Sequence, residues 1–428
     1  MAATLHHLYP TSPPLAGFLR VGHTGQTKLE ALHAAGRFPY RRVVFDAAHL
    51  PKQLSLLKLL KASGCEVVLD PNFAEMATEG RFRSAVGRLA WANQERPWRP
   101  NDFGPGRNAN LVRLIAKFAL QYGANVVLAP THVVETADDR WRSIDLSFCE
   151  VLRRELDRLG GQAIAIDYQL ITTYSALRDE QQRRQLIVGV GDLPVDNVWF
   201  RISGFGASAT GVGTRHLIES VSDLHQVGRP FVADWAGGFA ALAALAFGAV
   251  GGICHGVGQK EGFKVNDWKQ PPGEGGSKRR IYIGELDRHF SEDQLNAIFA
   301  ARGGRSRFGC NDPSCCPHGI DDMVENPHAH FIRQRSRQLD GLSVVTDVRR
   351  AEHFLLHHVE PAVRSARLGA RLKIADDDTR RLVDDARKRL VRFRDALDDL
   401  HSQDGIATRS LPVGFRGGGG AVAAVLGR

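Results

Sequence analysis

Short apolar runs alternate with longer amphipathic stretches over the first 260 residues or so. The runs occupy residues 19–22, 42–47, 66–71, 125–131, 162–167, 197–203, 229–234 and 251–256, and are rich in Val, Ile, Leu and Phe. Near-continuous apolar character over so few residues predicts strands buried on both faces, as in a parallel sheet. Helical periodicity fills the gaps. Residues 52–63 carry leucines at 54, 56, 57, 59 and 60, and residues 143–160 place Leu146, Cys149, Leu152, Leu156 and Leu159 on one stripe before a terminal glycine. Eight strand–helix alternations predict an α/β protein, a (β/α)8 TIM-like barrel. A doubly wound open sheet is the alternative, and the lack of a glycine-rich fingerprint after the first strand weighs against it.

The remaining chain has a different texture. Residues 260–280 are polar, basic and rich in Gly and Pro, which predicts a loop at the face where the strands end. The expected division is an N-terminal extension over 1–18, the barrel over 19–280 and a zinc-binding module over 281–347. A C-terminal helical region over 348–403 and a flexible Gly-rich tail over 404–428 follow.

Composition narrows the function classes. Of 428 residues, 43% are hydrophobic and 24% charged, which suits a globular protein and excludes global disorder. No apolar run reaches the roughly 18 residues of a membrane span, and the N-terminus lacks the pattern of a secretory signal. A cytoplasmic protein with no membrane partner is the expectation. The net charge of +9 is uneven: residues 331–394 hold 16 Lys/Arg against 9 Asp/Glu. Such a basic segment is compatible with nucleic acid.

Three features carry candidate chemistry. Acidic residues recur at the predicted strand ends, namely Asp46, Asp70, Asp167 and Asp234, with His132 and His255 in similar places. Active sites of barrels form at those ends, and buried carboxylates are costly unless paired or used. Glycine-rich turns at 202–211, including Gly204 and Gly206, and at 234–242 would let backbone amides approach a ring or a phosphate. Finally, Cys310, Cys315, Cys316 and His318 lie within nine residues, followed by His328 and His330. Cys/His donors from a turn and a helix suit a structural Zn2+ site, with the choice of four ligands open.

A barrel followed by a Cys/His module and Arg-rich helices resembles the tRNA-guanine transglycosylase superfamily, including its DNA-deazaguanine-inserting branch. The segments RVGHTGQTKLEAL, VVLDPNFAEM, ISGFGASATG and HAHFIRQR carry the resemblance. The resemblance implies a base-exchanging glycosyltransferase that replaces guanine in DNA or tRNA by a 7-deazaguanine through a carboxylate nucleophile. Asp70 would be the active-site base and His330 the helix ligand to zinc. Asp167, His132, Gly204 and Gly206 would contact the base, while Lys260 and Arg279 would hold phosphates. The family's cysteines follow C-x-C-x-x-C, whereas here the spacing is C-x4-C-C. Its nucleophile stands on the last barrel strand, where this chain reads GAVGGICHG, with Cys254 and His255. The role passes to Asp234 on the preceding strand, or the chemistry has changed. Partners expected are nucleic acid, a 7-deazaguanine base and a second copy in a homodimer. The competing readings are a barrel enzyme acting on a small metabolite and a catalytically altered nucleic-acid-binding relative.

Overall fold

A computed structural model describes residues 14–258, 261–270, 279–403 and 408–418. Eight parallel strands form the barrel: β1 (Ala16–Arg20), β2 (Arg42–Asp46), β3 (Glu66–Asp70), β4 (Val126–Leu128), β5 (Ala165–Thr173), β6 (Val198–Ser203), β7 (Phe231–Asp234) and β8 (Gly252–Gly256). Each pairs with its neighbour, and β1 pairs with β8 to close the ring. Outside the strands run α1 (Gln26–Ala34), α2 (Leu54–Ala62), α3 (Pro105–Tyr122), α4 (Arg140–Arg158), α5 (Glu180–Leu186), α6 (Gly211–Ser222) and α7 (Gly238–Ala246). No helix among the described residues is long and apolar enough to cross a membrane.

Two strands run well beyond their sequence-predicted ends. The first begins at Ala16, inside the expected extension, where Ala16 and Gly17 pair with Gly252 and Ile253 of β8. A Cβ on Gly17 would lie 2.9 Å from Leu339. The fifth strand continues to Thr173 instead of stopping at Asp167, and this moves Asp167 below the mouth.

After β8 come a hairpin of β9 (Arg280–Ile283) and β10 (Arg288–Ser291), helix α8 (Glu292–Ala300), the cysteine loop and α9 (Pro327–Ser343). Helix α9 packs against both α1 and α7. It therefore fills the barrel's eighth helical position, and the cysteine segment is an insertion between β8 and that helix. Helices α10 (Asp347–Phe354), α11 (Glu360–Gly369) and α12 (Asp377–Ser402) follow, and α12 lies along α6.

The C-terminal segment corrects a sequence expectation. Part of the expected flexible tail, residues 408–418, forms a strap across the N-terminal end of the barrel. Val413 joins Phe18, Val44, Val68 and Trp199 in the lumen cluster. Its carbonyl accepts from Arg42 at 3.0 Å, and the Arg416 amide donates to Glu66 at 2.7 Å. Phe415 lies under Arg41 and Arg42. The apolar residues before the glycine run close the barrel floor.

Candidate active site and metal centre

Side chains alternate along each strand, so every second residue enters the lumen. At the C-terminal end this places Arg20, Asp46, Asp70, Gln169, Arg201 and Asp234 in one buried polar layer. Arg20 donates to Asp46 at 2.6 Å, to Asp70 at 2.8 Å and to Asp234 at 3.1 Å. Arg201 donates to Asp234 at 2.7 Å and to Asp70 at 3.0 Å. Gln169 adds a bond to Asp234 at 2.8 Å, and the Asn72 amide one to Asp70 at 2.8 Å. Three carboxyl groups thus face two guanidiniums in this layer. Burial alone would weaken Arg20 and Arg201 as cations, but the carboxylates outweigh it and hold both pKa values above the usual arginine value. Pairing of this kind is what allows buried ions to persist.

Further groups complete the mouth. Glu75, on the short helix Phe73–Met76, has its carboxyl pushed up by burial and by the neighbouring Asp46 and Asp70. Trp235 and Trp268 lie over the Arg201 guanidinium at 5.1 and 5.7 Å from their ring centroids. Two non-glycine residues take positive φ beside the carboxylates, Asn72 at 55° and Trp235 at 54°. A bulky residue in that region is strained, and such strain clusters at functional sites. A closely packed cleft at the mouth is lined by Asp70, Asn72, Glu75, Thr131, Gln169 and Arg201, among others.

Several expected site residues lie elsewhere. Asp167 does enter the lumen, but one layer deeper. It accepts from Trp199 Nε1 at 2.7 Å and from the Asn197 side chain at 2.9 Å. Burial pushes its carboxyl up to about 7, against the opposing pull of those bonds. On β8 the parity is the reverse of the expectation. Cys254 faces the lumen, so His255 points outward, where its Nε2 meets Tyr40 Oη at 2.7 Å and its ring abuts Phe331. Burial, helped by Arg335, lowers His255 to about 3, leaving it neutral and remote from the carboxylates. His132 is buried beside α4. Its Nδ1 pairs with Asp145 at 2.6 Å and its ring stacks on Trp141 at 3.6 Å.

The glycine turns serve backbone packing. Gly204 takes φ +88°, and its amide donates to Phe263 at 2.9 Å. A Cβ on Gly206 would lie 2.5 Å from Gly262 Cα, and one on Gly237 would collide with Glu261. The segment 261–270 thus crosses the mouth against the end of β6, and the Gly238 amide donates to Glu261. Lys260 lies outside the described residues. Arg279 belongs to the metal region, 3.9 Å from Glu292.

The four groups Cys310, Cys315, Cys316 and His330 are buried, with ligand atoms all within 4.8 Å of one another. His330 Nδ1 is 3.4 Å from Cys315 Sγ and 3.3 Å from Cys316 Sγ. Its Nε2 meets the Tyr282 carbonyl at 3.0 Å. A donated Nε2–H fixes the tautomer and presents Nδ1 to a metal. His318 is excluded from this group: its side chain is 82% exposed and pairs with Asp322. The backbone carries it past the loop onto the surface, so its sequence proximity to the cysteines is misleading.

Sequence reasoning missed Arg20, Arg201, Gln169 and Glu75. Arg20 and Arg201 each fall within a strand that reads as apolar, and Gln169 lies beyond the predicted end of β5. The parity of β6, with Trp199 inward, was the one available signal for Arg201.

No protein-family model matches the chain, and a search of curated proteins matched none. Among solved structures, a GH26 β-mannanase from Bacteroides ovatus is similar at TM-score 0.38 and 9% identity, covering 61% of this chain and 86% of that one. A GH18 chitinase from Pseudoalteromonas aurantia gives TM-score 0.35 and 12% identity, with coverage of 60% and 97%. A type I 3-dehydroquinate dehydratase from Clostridium difficile gives 0.34 and 7%, with coverage of 60% and 90%. The strand pairing and site geometry therefore rest on this chain's own structure: a closed (β/α)8 barrel with a carboxylate-lined mouth and a Cys3His cluster that could hold a metal ion.

Proposed function

We propose that the protein exchanges a base at a glycosidic bond of nucleic acid, replacing guanine by a 7-deazaguanine. The observation that supports this most is the Asp70/Asp234 pair bridged by one Arg201 nitrogen at the strand ends. A carboxylate nucleophile must be held in place, and Arg20 and Arg201 both donate to Asp234. In the proposed reaction Asp234 attacks C1′ while the C1′–N9 bond breaks. The bonding pair leaves with guanine, which takes up one proton from solvent water. The incoming deazaguanine gives its N9 proton to Asp70, attacks C1′ and displaces Asp234. The target base must leave its stack, at a cost of a few kcal/mol. Asp46 and Arg20 position this pair, and Gln169 holds the attacking carboxylate.

Three thiols and one imidazole suit a tetrahedral zinc ion, and the Tyr282 carbonyl sets the required tautomer. Zinc would act as a cross-link between the cysteine loop and α9, supplying folding energy rather than reactivity. A second reading, a nucleic-acid-binding relative without catalysis, is favoured by one fact: Asp234 already accepts from Arg20, Arg201 and Gln169.

Trapping tests the choice. Protein incubated with labelled tRNA or duplex DNA, then denatured, should yield a covalent adduct on one polymer that is absent in Asp234→Asn. Salt-sensitive binding without adduct would support the second reading. No binding to either polymer would favour a barrel enzyme on a small metabolite.

A further inference from the structure

A cavity of about 620 Å3 opens between α1 and the start of α9, away from the mouth carboxylates. Its walls bring together cations from three separate parts of the chain. Lys28 comes from α1, Arg37 from the turn after it, and Arg279 from the edge of β9. Lys28 Nζ lies 3.2 and 3.4 Å from the two ring nitrogens of His328. Among the described residues no carboxylate forms an ion pair with Lys28, and its ammonium is weakened by partial burial and by Arg279. Arg37 is spent on the Cys315 carbonyl, and Arg279 on the Glu325 carbonyl and a long pair with Glu292. Of the two acids in the lining, Asp322 is engaged by His318, while Glu325 is exposed and forms no ion pair among the described residues.

Three cations against two acids leave the lining with an excess of positive charge, and Lys28 and Arg279 repel each other across it. An incoming anion would relieve that cost. The size excludes a site built for a bare chloride ion. It fits a ligand of nucleotide dimensions, since small-molecule sites span roughly 300–1,000 Å3. Apolar wall from Ala31, Leu32 and Pro327 would cover the body of such a ligand. The first turn of α9 carries neither a side-chain cap nor an acidic residue, and the nearest acid along the chain is Glu325, just before the N-cap Asn326.

We propose that this cavity binds a phosphomonoester, with Lys28 and Arg279 as its charge partners. The source is either a free mononucleotide or the terminal phosphate of a nucleic-acid strand. This goes beyond the base-exchange reading and does not depend on it, because no mouth residue lines the cavity.

Calorimetric titration of the full chain tests it, with adenosine monophosphate, a 5′-phosphorylated trinucleotide and its 5′-hydroxyl twin as probes. At least one phosphorylated probe should bind. Affinity should fall tenfold or more in Lys28→Ala and further in Lys28→Ala/Arg279→Ala, with metal content unchanged. Exposed Arg154→Ala should leave it intact. Binding by the mononucleotide alone would identify a free nucleotide as the source, and binding by the trinucleotide a strand end. Equal affinity for the 5′-hydroxyl twin, unchanged affinity in the Lys28 variants, or no binding of any probe would overturn the proposal.

Discussion

Replacing Asp167 by Asn should flatten the pH dependence of stability. Asp167 lies in the barrel lumen at 1% exposure, and burial raises its carboxyl to about 7. In the unfolded chain the same group titrates near 3.9. The folded state therefore binds this proton more tightly. Its contribution to stability is fully present below about pH 3.9 and is lost as pH rises through about 7. Between pH 5 and 7 the unfolded chain is ionised and the folded site largely is not. At 1.36 kcal/mol per pH unit, tapering as the folded group begins to ionise near pH 7, Asp167 should remove about 2 kcal/mol over that interval. Asn carries no titration. It also offers fewer acceptor sites to Trp199 Nε1 and to the Asn197 amides, which adds a constant penalty of about 1–3 kcal/mol at every pH. The slope is thus the informative quantity, not the level. Urea unfolding of wild type and Asp167→Asn at pH 5, 6, 7 and 8 gives it. Wild type should lose about 2 kcal/mol more than the variant between pH 5 and 7. Parallel profiles would show that Asp167 is ionised throughout and that its three donors outweigh burial.

Other outcomes follow from the same packing. Arg201→Leu leaves Asp70 and Asp234 with one guanidinium between them, and should cost about 3–5 kcal/mol in urea unfolding. Cys316→Ser should cut bound zinc by more than half in elemental analysis, whereas His318→Ala should leave it unchanged. Val413→Ala removes two methyl groups from the barrel floor and should cost about 2 kcal/mol in the same unfolding assay, with an unchanged far-UV spectrum.

The barrel was legible because its strands are buried on both faces, which leaves unbroken runs such as Val67–Leu69 and Val43–Phe45. Asp70 and Asp234 were legible for a related reason: each terminates such a run. What decides the rest is parity and distance. A shift of one residue exchanges lumen and outer face, and sequence alone does not set which of Cys254 and His255 enters. Arg20 and Arg201 lie in apolar context, and their partners are 26 to 214 residues away. Glycines at 206 and 237 suggested ligand contact, yet they make room for residues 261 and 262, a contact with no local trace. In the metal region the donor types were readable, but spacing left His318 and His330 both open, while the fold brings only His330 to the cysteines, its Nε2 held by the Tyr282 carbonyl. The strap was hidden by the glycine run after it, although Val413 and Phe415 already broke the pattern of a tail.

Base exchange itself is the most direct test. Purified wild type, Asp70→Asn and Asp234→Asn would be given tRNA or duplex DNA labelled in guanine, with and without a 7-deazaguanine. The account predicts release of labelled guanine from one polymer, dependent on the added base and abolished in Asp234→Asn while that variant stays folded and zinc-loaded. Release that persists in Asp234→Asn, or no release from either polymer by folded, zinc-loaded wild type, would contradict it.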